Sequence, residues 1–234
     1  MRERIREQLM QLAESDYKKF NEKIVPGAQN MLGIRLPKLR ELAKKMAKTR
    51  AEEYLQQTET ALNAGEMLYY EEVMLYGLMI GYAKFDDEKR KLWLDRFIPH
   101  IDNWAVCDSC CLTYKWMKKN PEYWWAYLQE RMEAGQEYSV RFAIVCMLGH
   151  FVNDIYIEEI LKCCSNIDHE AYYVKMAVAW AVSVCYVKYP ERTEIFLKDN
   201  QMDDETQNKA IQKICDSYRV SREQKQMVRT YKRK

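Results

Sequence analysis

The feature that most constrains the fold is a recurrence of apolar segments with helical character at steps of 34 residues. Five such segments can be aligned, at residues 72–79, 106–113, 140–147, 174–181 and 208–215. More polar segments with a helical pattern lie between them, at residues 87–97, 121–133, 155–164 and 190–198. A short helix cannot bury its apolar faces alone, so consecutive units of this kind must stack on one another. The alignment therefore predicts five helix pairs in series.

The composition agrees with a helical chain. Only 7 glycines and 5 prolines occur in 234 residues, and 48% of the residues are hydrophobic, which favours helices over a turn-rich β fold. We predict one all-α domain spanning residues 1–234, an α-solenoid of HEAT-like helical repeats. At the N-terminus we predict a single amphipathic helix over residues 1–20, broken further on by Pro26-Gly27. The basic C-terminal residues 227–234 are expected to fray and to attract nucleic acid non-specifically.

The eight cysteines raise the question of a metal site. Cys107 and Cys110 have the spacing of a zinc-binding pair, with Cys111 beside them, but a second pair of cysteines or histidines is missing. We expect these thiols to be reduced and buried in helices, and we expect neither a metal nor another cofactor. There is no secretory signal and no apolar run of spanning length, so we expect a cytoplasmic protein that does not enter membranes. We also expect the protein to be a monomer.

One column of the repeat alignment contains an acid among apolar residues. Asp108 aligns with Met74, Phe142, Met176 and Ala210. Burying a carboxylate in such a column costs free energy unless something compensates for it. Trp104 lies one helical turn before Asp108, and Asp102-Asn103 precede it, where N-cap residues belong. The pattern is compatible with a functional acid beside an aromatic ring, and equally with a capped helix whose tryptophan is buried and whose acid is solvated.

The column before it suggests a basic strip, because it holds Arg141, Lys175 and Lys209 in three successive repeats. Equal register in a solenoid places side chains on one surface, and a row of cations there suits a phosphate backbone. Lys213, four residues after Lys209, extends the strip. Arg35 and Lys38, with Arg40, form a second basic cluster at the start of a helix that could receive a phosphate. Ordinary solvated cations explain both patterns as well.

The chain resembles the HEAT-like repeat DNA alkylation repair family, the AlkD-like DNA glycosylases, over nearly its whole length. Four segments carry the resemblance. Residues 32–40, with Gly33, Pro37 and Arg40, match the family's N-terminal Gly-x-x-x-Pro-x-x-Arg element, and residues 104–108 match its Trp-Asp-x-x-Asp segment. Residues 140–144 match the helix that carries its arginine, and residues 175–180 match the helix with its second active-site tryptophan.

The resemblance implies a DNA repair enzyme that hydrolyses the N-glycosidic bond of purines made cationic by alkylation at N3 or N7. It assigns Asp108 the stabilisation of the oxocarbenium-like sugar and the orientation of the attacking water. It places Trp104 and Trp180 against the deoxyribose and backbone of double-stranded DNA, although register alone puts Trp180 in the core. Arg141 would hold a nearby phosphate, and the base would not need to be extruded into a pocket, as it is in most glycosylases.

The sequence departs from the family at two places. Ala105 stands where the family often has Asp, and residues 20–30 are too short for the extra helix that active members place in the minor groove. The second departure keeps two alternatives open. The chain is either a glycosylase or a weakly catalytic or non-catalytic DNA-binding solenoid of the same family. A protein-interaction scaffold is the third possibility, since HEAT-like arrays commonly serve that purpose.

Overall fold

A computed structural model describes all residues from Met1 to Lys234 and contains fourteen α-helices and no strand. The all-α helical repeat fold predicted from the sequence is confirmed. The helices are α1 (Arg2–Leu12), α2 (Ser15–Ile24), α3 (Leu36–Met46), α4 (Ala51–Asn63), α5 (Tyr70–Tyr82), α6 (Asp87–Phe97), α7 (Trp104–Cys111), α8 (Pro121–Glu133), α9 (Glu137–His150), α10 (Ile157–Asn166), α11 (Tyr172–Lys188), α12 (Pro190–Lys198), α13 (Asp204–Asp216) and α14 (Arg222–Arg229). The five aligned apolar segments correspond to α5, α7, α9, α11 and α13, and the polar ones correspond to α6, α8, α10 and α12.

The helices group into two compact units, Met1–Trp116 and Met117–Lys234. In the first unit α5 is central and packs against α3, α4, α6 and α7. In the second unit α11 is central, with α9 on one side and α13 on the other, and α8, α10, α12 and α14 each pack against a member of this row. No helix in the chain has the length and hydropathy to cross a lipid bilayer.

The N-terminal residues form two helices, which corrects the prediction of a single helix over residues 1–20. Ala13 and Glu14 are extended, and they separate α1 from α2. The Glu14 amide donates to the Gly33 carbonyl at 3.0 Å. A bond to a residue far along the chain replaces the helical bond that a continuous helix would make here, so tertiary contact overrides the local periodicity.

The C-terminal tail is docked against the protein, which corrects the prediction from the sequence that it frays. The Arg233 guanidinium donates to the carbonyls of Met202 and Asn200, and the Arg233 amide donates to the Asn208 side chain at 3.0 Å. Gln207, which is fully buried, donates to the carbonyls of Leu197 and Tyr231. Arg233 of the basic tail therefore satisfies backbone acceptors after α12.

A buried carboxylate holds the connection between α2 and α3. Glu71, on α5 and fully buried, accepts hydrogen bonds from the amides of Leu32, Gly33 and Ile34 at 2.9, 2.8 and 3.1 Å. Such bonds compensate the cost of burying the charge. The Gly33 end of the family-like element thus has a structural task, the attachment of this connection to α5.

Close packing between α5 and α7 fixes the position of the shorter helix. A Cβ atom on Gly77 would lie 2.4 Å from the Phe97 ring and 2.5 Å from Cys110 Sγ, and one on Gly81 would lie 2.0 Å from Thr113 Oγ1. The two glycines are four residues apart and therefore lie on one face of α5. They allow α7, which contains Trp104 and Asp108, to sit directly against the α5 backbone.

Candidate active site and nucleic-acid interface

Helix α7 begins where the sequence predicted and is capped as predicted. The Asn103 side chain accepts from the Val106 amide at 2.9 Å, and it also donates to the Asp102 carboxylate at 2.7 Å. Such an N-cap contributes about 1 kcal/mol to helix stability. Asn103 is the cap, and Asp102 holds its side chain in place. The two residues together define the position at which α7 starts.

Trp104 and Asp108 lie on the face of α7 that is partly open to solvent, and Ser109 lies beside Asp108 at the edge of that face. Both side chains are half-buried, while the helix buries Ala105, Val106, Cys107, Cys110 and Cys111. A separation of four residues puts the indole and the carboxylate about 40° apart around the axis. The structure therefore brings these two predicted residues together. The acid in the apolar column of the repeat alignment is not a fully buried charge, because Asp108 is only half-buried. Asp108 occupies a repeat position that is partly exposed in α7, although its counterpart Phe142 is buried in α9.

The three thiols of α7 are buried within the helix packing. Cys107 Sγ and Cys111 Sγ are 4.0 Å apart, and both side chains are fully buried. Burial raises the pKa of the Cys110 thiol well above its ordinary value; Cys107 and Asp108 act in the same direction and Arg40 opposes them. Since the thiolate is the nucleophile, a raised pKa lowers the reactivity of Cys110. Nowhere in residues 1–234 do three or more His, Cys, Asp or Glu side chains converge on a common metal position.

Arg40 is the site residue that the sequence analysis underrated. It lies on α3, which packs against α5, and its charge acts on the Cys110 thiol of α7 and on the Tyr82 hydroxyl of α5. Its Nε is buried and has no hydrogen-bond partner. The sequence signal for it was the arginine of the Gly-x-x-x-Pro-x-x-Arg element. Among the cations of that basic cluster, Arg40 is the one whose charge acts on groups of α5 and α7.

Arg35 and Lys38, the two predicted phosphate ligands of the cluster, are held by an acid. Glu14 accepts from Arg35 Nε at 2.9 Å and from Lys38 Nζ at 3.0 Å, and the guanidinium lies 4.8 Å from the Tyr17 ring centroid. Hydrogen bonds from Arg35, followed by those from Lys38, lower the pKa of the Glu14 carboxyl. The cluster therefore ties the starts of α2 and α3 together, and a phosphate there would have to compete with Glu14.

Arg141 is buried, with only 5% of its surface exposed. Its Nη1 donates to the Tyr173 carbonyl at 2.5 Å, and its guanidinium lies 5.8 Å from the centroid of the Tyr173 ring. Tyr173 belongs to the first turn of α11, so Arg141 links α9 to the next helix in the row. This is a different setting from the solvated strip that the register predicted.

Lys175 repeats that arrangement one helix further along. Its Nζ lies 3.8 to 3.9 Å from carboxylate oxygens of Glu170, Asp203 and Glu205, and 17% of its side chain is exposed. Asp203 is the N-cap of α13. Lys209, by contrast, is half-exposed and donates to Gln212 at 3.2 Å. The three cations have equal register on α9, α11 and α13, but the charge of Lys175 is offset by three acids.

Trp180 is not a core residue, despite its register. It is half-exposed and lines a groove of about 470 Å³ in the second unit. Lys188 on α11, Lys213 on α13 and Arg219 after α13 line the same groove. Trp180 is five residues after Lys175, about 140° around the helix, so these two predicted contacts lie on different faces of α11. Lys213, the residue that was predicted to extend the basic strip, therefore lines the same groove as Trp180.

The comparisons with known proteins bear on this geometry. No curated protein and no solved structure gives a significant match to the chain. A family model described as "DNA alkylation repair enzyme" matches residues 5–214, which covers α7, the row of α9, α11 and α13, and the Gly33 connection. This match spans far more than half of the sequence. The chain belongs to the family of DNA alkylation repair enzymes.

Proposed function

We propose that the protein is a DNA glycosylase that releases cationic N3- and N7-alkylated purines from double-stranded DNA by hydrolysis of the N-glycosidic bond. Asp108 is the catalytic residue, and Trp104 lies beside the reacting deoxyribose. The observation that carries the proposal is the partly open face of α7, where a tryptophan and a carboxylate lie one turn apart on a helix whose other side is buried.

The chemistry asks little of the protein beyond electrostatics. An alkylated purine is positively charged and leaves as a neutral base with the electrons of the glycosidic bond, so positive charge grows on the sugar. A carboxylate next to an aromatic ring, partly withdrawn from water, stabilises that charge more than a solvated carboxylate does. Water then adds to the sugar carbon and releases a proton. The reaction uses no metal or redox cofactor.

The rigid support of α7 favours a catalytic role for its exposed face. The Asn103 cap fixes where the helix begins, and the glycines at 77 and 81 fix its distance from α5. Catalytic groups work best when the scaffold holds them without reorganisation. Arg40 is proposed as a positioning residue whose charge acts at the end of α7. Arg141, Lys175, Lys209 and Trp180 of the second unit are proposed to contact the DNA, with Arg35 and Lys38 as secondary contacts.

The test is base release from a duplex that contains 7-methylguanine. Replacing Asp108 by Asn removes the charge with little change of shape, and we expect the rate to fall about 100- to 1000-fold while DNA binding and the melting temperature are retained. Asp102→Asn is the matched control, because an amide oxygen at 102 can still accept from Asn103; it should keep the wild-type rate. Activity that survives Asp108→Asn would place the chemistry on another residue.

A second candidate function is DNA binding without excision, and one observation favours it. Between the end of α2 at Ile24 and the start of α3 at Leu36 there is no helix, so the extra DNA-binding helix that the resemblance implies for active members is missing from this connection. If the wild-type protein binds the methylated duplex but releases no base, under conditions in which a control glycosylase does, this second function is the correct one.

A further inference from the structure

The groove beside Trp180 continues to the connection between α13 and α14, a place that the family-like segments do not include. Its charged lining residues are Lys188, Lys213, Asp216 and Arg219. Lys188 Nζ donates to the Val152 carbonyl at 2.7 Å. The Arg219 side chain is exposed and belongs to no ion pair. Three cations and one acid give the groove a net positive charge.

Tyr218 lies in sequence between two lining residues of this groove and is the most exposed of the large hydrophobic side chains, with a relative exposure of 103%. The connection that carries it is short and well anchored. The Arg219 amide donates to Ser217 Oγ at 3.2 Å, Val220 is buried, and Ser221 caps α14 through the Gln224 amide. An exposed aromatic ring has gained no burial from folding, and an anchored backbone lets it stack on a partner without first ordering the connection.

The floor of the groove is apolar along α11. Half-buried side chains recur there at intervals of four and three residues, at Trp180, Val184 and Val187, which places them on one stripe of the helix. An apolar floor with cations on its edge and an exposed ring on the adjoining connection matches a nucleic-acid strand. Phosphates alternate there with sugars and bases, which pack on apolar and aromatic surfaces.

We propose that this groove is a second DNA contact, in which Lys213 and Arg219 bind backbone phosphates and the Tyr218 ring stacks on a nucleotide that has left the base stack. The inference rests on the proposed function only for the identity of DNA as the partner. It adds a preference of the second unit for DNA with an unstacked nucleotide, a feature of damaged duplexes.

The experiment measures the binding of two labelled duplexes by fluorescence anisotropy, one fully paired and one carrying a single bulged adenine. Wild type should bind the bulged duplex more tightly. Tyr218→Ala should lose about 5- to 10-fold in affinity for the bulged duplex and little for the paired one, whereas Tyr218→Phe, which keeps the ring, should behave as wild type. Arg219→Gln should weaken both duplexes and reduce the salt slope by about 1.

Arg229→Gln is the matched control, since Arg229 is exposed on α14 and does not line the groove; it should leave the preference for the bulged duplex unchanged. Equal binding of both duplexes by wild type, or a Tyr218→Ala protein that keeps the preference, would overturn the inference. Absence of any DNA binding at low salt would overturn it as well. Because no step requires base release, a wild-type protein that shows the preference but excises nothing would refute the proposed glycosylase and leave this inference standing.

Discussion

Gly33 shows how one residue can set the course of the chain. Its φ is +87°, a backbone conformation that residues with a side chain rarely adopt. A Cβ atom at this position would lie 2.6 Å from Lys18 Cβ and 2.7 Å from the Glu14 carbonyl oxygen. Its amide donates to the buried Glu71 carboxylate. Both the backbone conformation and the lack of space exclude a larger residue.

Gly33→Ala should therefore destabilise the protein by more than the strain of a positive φ alone. We expect a loss of about 2–4 kcal/mol in the free energy of unfolding, as the left-handed conformation and the clash with α2 add. Gly65→Ala is the matched control, because Gly65 has φ +72° but nothing within 4 Å of an added Cβ; it should cost about 1–2 kcal/mol. Chemical denaturation of both variants measures the difference, and equal losses would show that the contact with α2 yields freely.

Glu71 is the other residue on which this connection depends. Glu71→Gln keeps the shape, but its amide nitrogen can no longer accept one of the three backbone bonds. We expect a loss of about 1–3 kcal/mol in unfolding free energy, because a buried donor remains unpaired. Glu41→Gln, on the exposed side of α3, should change the stability by less than about 0.5 kcal/mol. A Glu71→Gln protein as stable as wild type would mean that the connection finds other acceptors.

At the scale of the elements, the seat of α7 on α5 couples stability to the proposed chemistry. Phe97 and Cys110, the neighbours of Gly77, are both fully buried. A methyl group at this position has no space to enter unless α7 moves away from α5. The displacement would carry Trp104 and Asp108 with it.

Gly77→Ala should thus lower both the stability and the activity. Overpacking costs about 1–3 kcal/mol, and it outweighs the gain of about 1 kcal/mol that alanine brings to a helix interior. We expect a lower melting temperature and a loss of base release that persists at temperatures where the variant is fully folded. A variant that melts earlier but excises at the wild-type rate would separate the packing of α7 from the chemistry.

At the scale of the whole molecule, a net charge of +2 provides no general attraction for DNA. Affinity must come from the arrangement of cations, and the structure divides them into two kinds. Lys175 is surrounded by three carboxylates and Arg141 is buried against α11. Lys209 is partly exposed and Arg219 is exposed, and neither belongs to an ion pair. These settings predict different contributions to binding.

We expect the logarithm of DNA affinity to fall linearly with the logarithm of salt concentration, because bound phosphates release counterions. Lys209→Gln should reduce the slope by about 1. Lys175→Gln should reduce it much less, since the three acids already neutralise that cation. Equal reductions from the two variants would show that DNA displaces the carboxylates and that the strip predicted from the repeat register acts as a unit.

The features of the protein that depend on local sequence pattern could be predicted from the sequence alone. The repeat of apolar segments predicted the helices from α5 to α13, the packing of α5 against α7 in the first unit and the row of α9, α11 and α13 in the second, because burial of a helix face follows from its periodicity. The Asn103 cap and the proximity of Trp104 and Asp108 depend on residues within one or two turns. The family itself was recognised from four short segments spread along the chain.

Only the tertiary structure decided how each charge is compensated and which side chains remain open. Register correctly aligned Arg141 and Lys175, but their acceptors, the Tyr173 carbonyl and the carboxylates around α13, lie about 30 residues away in sequence. The break between α1 and α2 depends on Gly33, and the order of the C-terminal tail depends on carbonyls after α12. Periodicity determines which faces must be buried, but the partners of polar groups come from distant parts of the chain, and these become neighbours only when the helices pack.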